Sequence, residues 1–458
     1  MLSLAVATPA TAQTDTGAIT FSKDIAPILQ RSCQHCHRPD SVAPMSLLTY
    51  EEARPWARAM KNRTTLRNER GAMPPWFIEK DIGIQHFKDD PSLSDAEVAA
   101  IATWADNGAP RGDPADLPPP KFVPGEDDGW RIGEPDLVLR SREMTVGATG
   151  ADRWEPIGTV GTGLTEDRYV AAVEIREVND IPKGGSSNTV GGRFVFHHLN
   201  WSSHLEDETA AGFGDETTTV WPVHEVGRNA DIFPANAGRI LAAGSILNLE
   251  TAHLHSNGRE TKAHLEFAFK FHPRGYKPSV RWVRRLTGNG VDIDIKPMDG
   301  DQQLYAYTVL EQHTKILTFE PHMHAPGRRM CLNAIWGATT QTLTCAGYDH
   351  NWVRSYVYAD DAAPLLPKGT ILQLIGYMDN SPTNRNVVDP RNWGGGGRRS
   401  VANMFIDLGE AIALTDAEFE REMGERRVRL KLTKNDYVIG CPLCQVRFPS
   451  QDLLSAGQ

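Results

Sequence analysis

The hydrophobic rhythm of the chain changes near residue 110. Before that point apolar positions recur at helical spacing. In "SDAEVAAIATWADNG", Val98, Ile101 and Trp104 fall on one helix face. Ser94 and Glu97 form a capping box ahead of them, and Asn107-Gly108 is a stop signal. "SKDIAPILQRS" and "TYEEARPWARAMKNR" read as two further helices, so residues 18–112 predict a small all-α unit. "APRGDPADLPPPKFVPGEDDG" follows, with six prolines in 21 residues. It predicts a semi-rigid linker over 113–129. Beyond it the period becomes two. In "HLEFAFKFH", Leu265, Phe267, Phe269 and Phe271 alternate with polar or small residues, the pattern of a half-buried strand. "RYVAAVEIREV" and "KILTFEPHMH" are strand-like too, and clusters of Gly, Asn, Asp and Pro separate such runs. The expected architecture is multidomain: a small all-α domain followed by two all-β, jelly-roll-like sandwich domains at 130–275 and 276–435, then a tail at 436–458.

Composition narrows the functional classes. A net charge of -10 argues against a non-specific nucleic-acid binder. No apolar run approaches the roughly 18 residues of a membrane-spanning helix. Residues 2–13, "LSLAVATPATAQ", are small and apolar and include Ala10-Thr11-Ala12, the A-x-A form of a signal-peptidase site. Residues 1–13 therefore read as the remainder of a secretion signal and predict a periplasmic or secreted location. Six cysteines fit an oxidising compartment. Cys331 and Cys345 flank "LNAIWGATTQTLT", two strands with a turn near 337–340, so a cross-hairpin disulfide is expected. Cys441 and Cys444 form a C-x-x-C without a following His. A local disulfide is expected there, because two thiols are too few to hold a metal.

"RSCQHCHRP" carries a different chemistry. Cys33, Cys36 and His37 spell C-x-x-C-H, the attachment pattern of a c-type haem. The cysteines would form thioethers and His37 would supply the proximal ligand. Met73 in "GAMPPWF", or else Met45 in "VAPMSLL", would be the sixth. The histidines are also uneven. Of 15, several fall in three tight groups: His197-His198, His253-x-His255 and His322-x-His324. His322 and His324, at i and i+2, point the same way from one strand and offer two nitrogens to a metal. Consecutive strand residues face opposite sides, so His197 and His198 reach one ion together only at a strand end or a bulge. Zinc accepts three histidines, whereas a His-His-Met set implies copper, because thioether is a soft ligand. Met404 and Met378 are the late methionines that could complete such a set, although a packed core Met is the plainer reading of either alone.

The order HH, then HxH, then a late Met resembles the copper type II, ascorbate-dependent monooxygenases, the peptidylglycine α-hydroxylating and dopamine β-monooxygenase class. The N-terminal part, with "FSKDIAPILQRSCQHCHRPDSVAPMSLLTYEEARPWA" and "MPPW", looks like the cytochrome domain that bacterial members carry. "PKGT" and "YMDNSPTNRNVVDP" also look like this bacterial branch. The resemblance implies two β domains with one copper each. His197, His198 and His253 would hold the first copper, with His255 an adjacent alternate. His322, His324 and Met404 would hold the second, where oxygen chemistry takes place. Where the peptidylglycine enzyme has an Arg two residues before the HxH, this chain has Glu320. A carboxylate there would repel a carboxylate substrate, unless it is buried and paired.

The resulting expectation is a copper-dependent monooxygenase with two copper ions and one covalently bound haem c. It would use O2, a small organic substrate, and electrons from an ascorbate-like donor or a periplasmic redox protein, relayed through the haem to the first copper. The alternatives are a haem and copper electron-transfer protein without hydroxylase activity, a binding module using Trp201, Trp221 or Trp352, and a zinc hydrolase. No HExxH motif supports the last.

Overall fold

The computed structural model describes residues 18–444, apart from 123–128, 184–188, 190–191, 206–218, 227–229, 285–286, 290–291, 398–401 and 434–435. The signal-like residues 1–13 lie outside the described residues, as does most of the tail.

Two sheets form the first half of the β structure. One runs Ala230–Ile232, Arg168–Asn179, Thr261–Phe271, Leu137–Arg140, and the other Arg153–Glu155, Ser245–Leu254, Phe196–Leu205, Thr219–Val220. They pack through one apolar core in which Trp201 and Trp221 meet Phe267 and Phe269. The alternation read in the sequence explains this face: Ala263, Leu265, Phe267 and Phe269 are all buried. The second half has a five-stranded sheet ordered Ile78–Gly83, Thr339–Gly347, Gly327–Trp336, Ile371–Met378, Gln302–Val309. A four-stranded sheet and a three-stranded one, Thr287–Asn289, Phe405–Asp407, Pro321–Met323, accompany it.

The expectation of a separate all-α cytochrome domain is overturned. The chain is mostly β sandwich sheets, and the helices of its N-terminal segment are short, the longest being Asp95–Asp106. They do bury a small cluster around Phe21, Ile25, Leu29 and Trp104. The same segment, however, sends out the strand Ile78–Gly83, which pairs antiparallel with Thr339–Gly347. Trp76, Ile78 and Ile84 join the core of the C-terminal half. Glu79 grips Arg329 there, one of its bonds being 2.9 Å from Nη2. Apolar residues that a free-standing helical domain would keep for itself are spent on the β core. The short run "WFIEKDIGI" gave no alternation clear enough to announce this.

Both expected disulfides are present. Cys331 and Cys345 are directly opposed across the hairpin, with Cα atoms 4.1 Å apart. Cys441 is bonded to Cys444 and packs under the helix Asp416–Arg429, beside Phe419 and Met423. Among the described residues, no helix is long and apolar enough to cross a membrane.

Candidate metal centres and the C-x-x-C-H segment

The first histidine group is assembled by a fault in a β ladder. Strand Phe196–Leu205 pairs with Ser245–Leu254 so that His198 faces His253, but Leu254 faces Phe196. His197 is therefore the extra residue of a β-bulge, and the bulge turns it to the side that His198 already faces. His197, His198 and His253 each offer a nitrogen, all within 4.8 Å of one another. His253 is fixed further by two neighbours. Its Nε2 bonds Asp152 Oδ2 at 2.9 Å, and its ring stacks on Trp154 at 4.2 Å. With Nε2 so engaged, an ion would bind through Nδ1. A carboxylate behind a ligating imidazole sets its tautomer and raises its basicity. His255 is not one of the three: its Nε2 donates to the Phe194 carbonyl at 3.0 Å. Ahead of the bulge, Glu177 accepts from the Val195 and Phe196 amides, at 2.9 and 2.8 Å. Desolvation nevertheless pushes its pKa up to about 7.

The second group sits on a strand pair. Pro321, His322 and Met323 oppose Asp407, Ile406 and Phe405. Continued one step past the end of the ladder, this register would set Met404 opposite His324. Opposed residues of an antiparallel pair share a face. Met323 and Phe405 enter the core, and by alternation His322 and His324 face the other way, the side to which Met404 would also belong. His324 Nδ1 donates to the Ala402 carbonyl at 3.0 Å, and an ion would bind through Nε2. The rings of His322 and His324 are 5.5 Å apart. Met378, the other late methionine, is 1% exposed and packed in the core. Glu320 is fully buried, so it does not face a substrate, and its charge says nothing about substrate class.

The histidines of the two groups act on one another electrostatically. Burial lowers the His198 pKa well below its usual value, and the charges of His253, His322, His197 and His324 act in the same direction. His197 is lowered to about 3 by burial first and by His253, His255 and His350 after it. Burial also lowers His253 and His350, so His197, His198, His253 and His350 favour the neutral form, the one that binds a metal.

In the C-x-x-C-H segment, Cys33 and Cys36 are unbridged thiols, unlike the other four cysteines. Burial, aided by Cys36, pushes the Cys33 thiol up to about 12. His37 Nδ1 donates to the Met45 carbonyl at 3.3 Å, which turns Nε2 toward any bound iron. Met45 therefore meets His37 through its backbone. Met73 is 41% exposed in a cleft lined by Thr64, Arg67, Trp76 and Leu93. The segment is docked on both halves: Asp40 pairs with Arg193 at 2.7 Å, and Cys36 feels the charge of Arg354.

Sequence reasoning missed Asp152, Trp154, His350 and Arg354. Asp152 is 101 positions from His253, and no spacing rule links them. Trp201 and Trp221, weighed as ligand-binding surface residues, are buried and stacked 5.3 Å apart.

No known protein family's sequence profile matches the chain, and no curated protein matches it. Among solved structures, the broad bean stain virus particle aligns over 65% of this chain and 96% of its own, at 9% identity and a TM-score of 0.30. The VP2 subviral particle of infectious bursal disease virus covers 62% and 72%, at 8% identity and a TM-score of 0.19. Likeness this weak carries no argument about fold or function.

Proposed function

We propose that this protein is a secreted copper-dependent monooxygenase with a covalently attached haem. Its reaction is RH + O2 + two electrons + two protons → ROH + H2O, with the electrons drawn from an external reductant. The observation that carries the reading is the bulge at His197, which turns a vicinal pair that a regular strand would splay into three nitrogens within 4.8 Å. A bulge that exposes a ligand set is a costly local irregularity, and such features concentrate at functional sites.

The donor sets fit the proposed groups. His197, His198 and His253 would hold one copper. His322, His324 and Met404 would hold the other, the thioether favouring Cu(I). Cys33, Cys36 and His37 would hold the haem. When bound, these groups supply single-electron storage and O2 activation. The protein's own residues then have distinct tasks. Asp152 and Trp154 fix the ring of His253. The Ala402 carbonyl fixes the tautomer of His324. The Met45 carbonyl does the same for His37.

The segment 348–356 supports a relay. Cys36 feels the charge of Arg354, and the ring of His350 lies 6.5 Å from that of His324. Four residues span at most about 14 Å, which bounds the step along the chain between Arg354 and His350. The test is O2-dependent hydroxylation of a panel of small amines, alcohols, peptides and neutral compounds by the haem- and copper-loaded protein. 18O-labelled O2 should label the product. Oxidation of reductant without any labelled organic product would favour a plain electron carrier.

A further inference from the structure

We infer that His350 is a third imidazole ligand of the second copper centre, which makes that centre His322, His324, His350 and Met404. The inference rests on the copper reading above and departs from the His-His-Met set that the sequence resemblance implies.

Three observations carry it. First, Nδ1 of His350 is buried and has no hydrogen-bond partner among the described residues. A buried polar atom left without a partner calls for an unseen one. Second, the ring of His350 lies 6.5 Å from that of His324, against 5.5 Å between His322 and His324. Metal–nitrogen bonds of about 2.0 Å place two imidazole centroids about 5 Å apart on a four-coordinate tetrahedral ion. An approach of roughly 1.5 Å by the His350 ring, which is carried on a loop, brings it onto the ion that His324 would hold.

Third, the segment is fastened at that spot. The Tyr348 hydroxyl donates to the carbonyl of Met323, the residue between the two ligands. Asp349 accepts from the Gly71 amide at 3.1 Å and from the Asn351 amide at 3.0 Å. The residues beside His350 are thus tied to the strand that carries His322 and His324, and to the N-terminal segment. His350 also feels the charge of His253, and His197 that of His350. Three nitrogens and one thioether would give the second copper a four-coordinate set, with the third imidazole on a loop rather than on the strand.

The experiment is X-ray absorption at the copper edge on the full chain loaded with two coppers, for wild type, His350→Gln and His350→Ala. The expected wild-type average is about three imidazoles per copper, falling to about 2.5 in both variants. Copper affinity at the second centre should fall about ten-fold or more, with the haem spectrum, the first centre and the melting temperature unchanged. A wild-type average of about 2.5 that neither variant alters would overturn the inference and leave the copper reading intact. Wild type that binds no copper would overturn both. His350→Gln keeps the size and polarity of the site, so a folding failure confined to His350→Ala leaves the test decisive.

Discussion

At the residue scale, His253, His324 and His37 are each held by a partner that fixes the ring. The sharpest consequence concerns Asp152, whose carboxylate bonds His253 at 2.9 Å. Asp152→Ala should weaken copper at the first centre about 10- to 100-fold. Titration with a competing chelator reads this, and unchanged affinity would contradict the role. Met404→Ala should abolish oxygen insertion while haem and the first copper stay in place, and unchanged turnover would remove Met404 from the site. The low pKa of His197, about 3, has a pH consequence. Between roughly pH 6.5 and 3 the unfolded chain binds a proton that the folded chain refuses, so stability is present above 6.5 and is lost on acidification. The melting temperature of the metal-free protein should drop from pH 7 to pH 5, and drop less in His197→Gln. An equal drop in the variant would assign the effect to other groups. Much of this scale was legible in the sequence, because ligand identity and clustering are written in residue types. The supporting partners were not. Asp152 and His350 are single residues without a pattern, brought in by tertiary packing alone.

At the element scale, the vicinal pair posed a geometric problem that period two cannot solve, and the bulge at His197 solves it. The need for a bulge or strand end followed from side-chain alternation. Its form depended on the pairing partner 55 or so residues away, which one strand's sequence does not specify. The hairpin that carries Cys331 and Cys345 was readable because the turn and the symmetric cysteines are local. Replacing both with Ala should lower unfolding stability by about 3 kcal/mol for a loop of this length. Denaturant melts under oxidising conditions would show this. No loss of midpoint would mean that strand pairing alone holds the hairpin.

At the scale of the whole molecule, the sequence pattern suggested beads on a string, and the structure is more integrated. The helical segment was expected to stand alone, because capping boxes and helical spacing are local signals. The strand Ile78–Gly83 joins a sheet partner more than 250 residues away, and local signals are blind to that. The integration matters for the proposed chemistry. It ties Asp40 to Arg193 and leaves Cys36 under the charge of Arg354, four residues from His350. Electron delivery in this account depends on a docked segment and not on a tethered, diffusing domain.

The central claim is that one chain holds one haem and two coppers, and the most direct measurement is their stoichiometry. The protein would be produced in a bacterial periplasm with haem-maturation machinery and copper, and then examined by elemental analysis and by the pyridine haemochrome spectrum. The account predicts one covalent haem and two coppers per chain, with one copper lost in His197→Ala and the other in His322→Ala. A chain that carries haem but no copper, or zinc in its place, would contradict it.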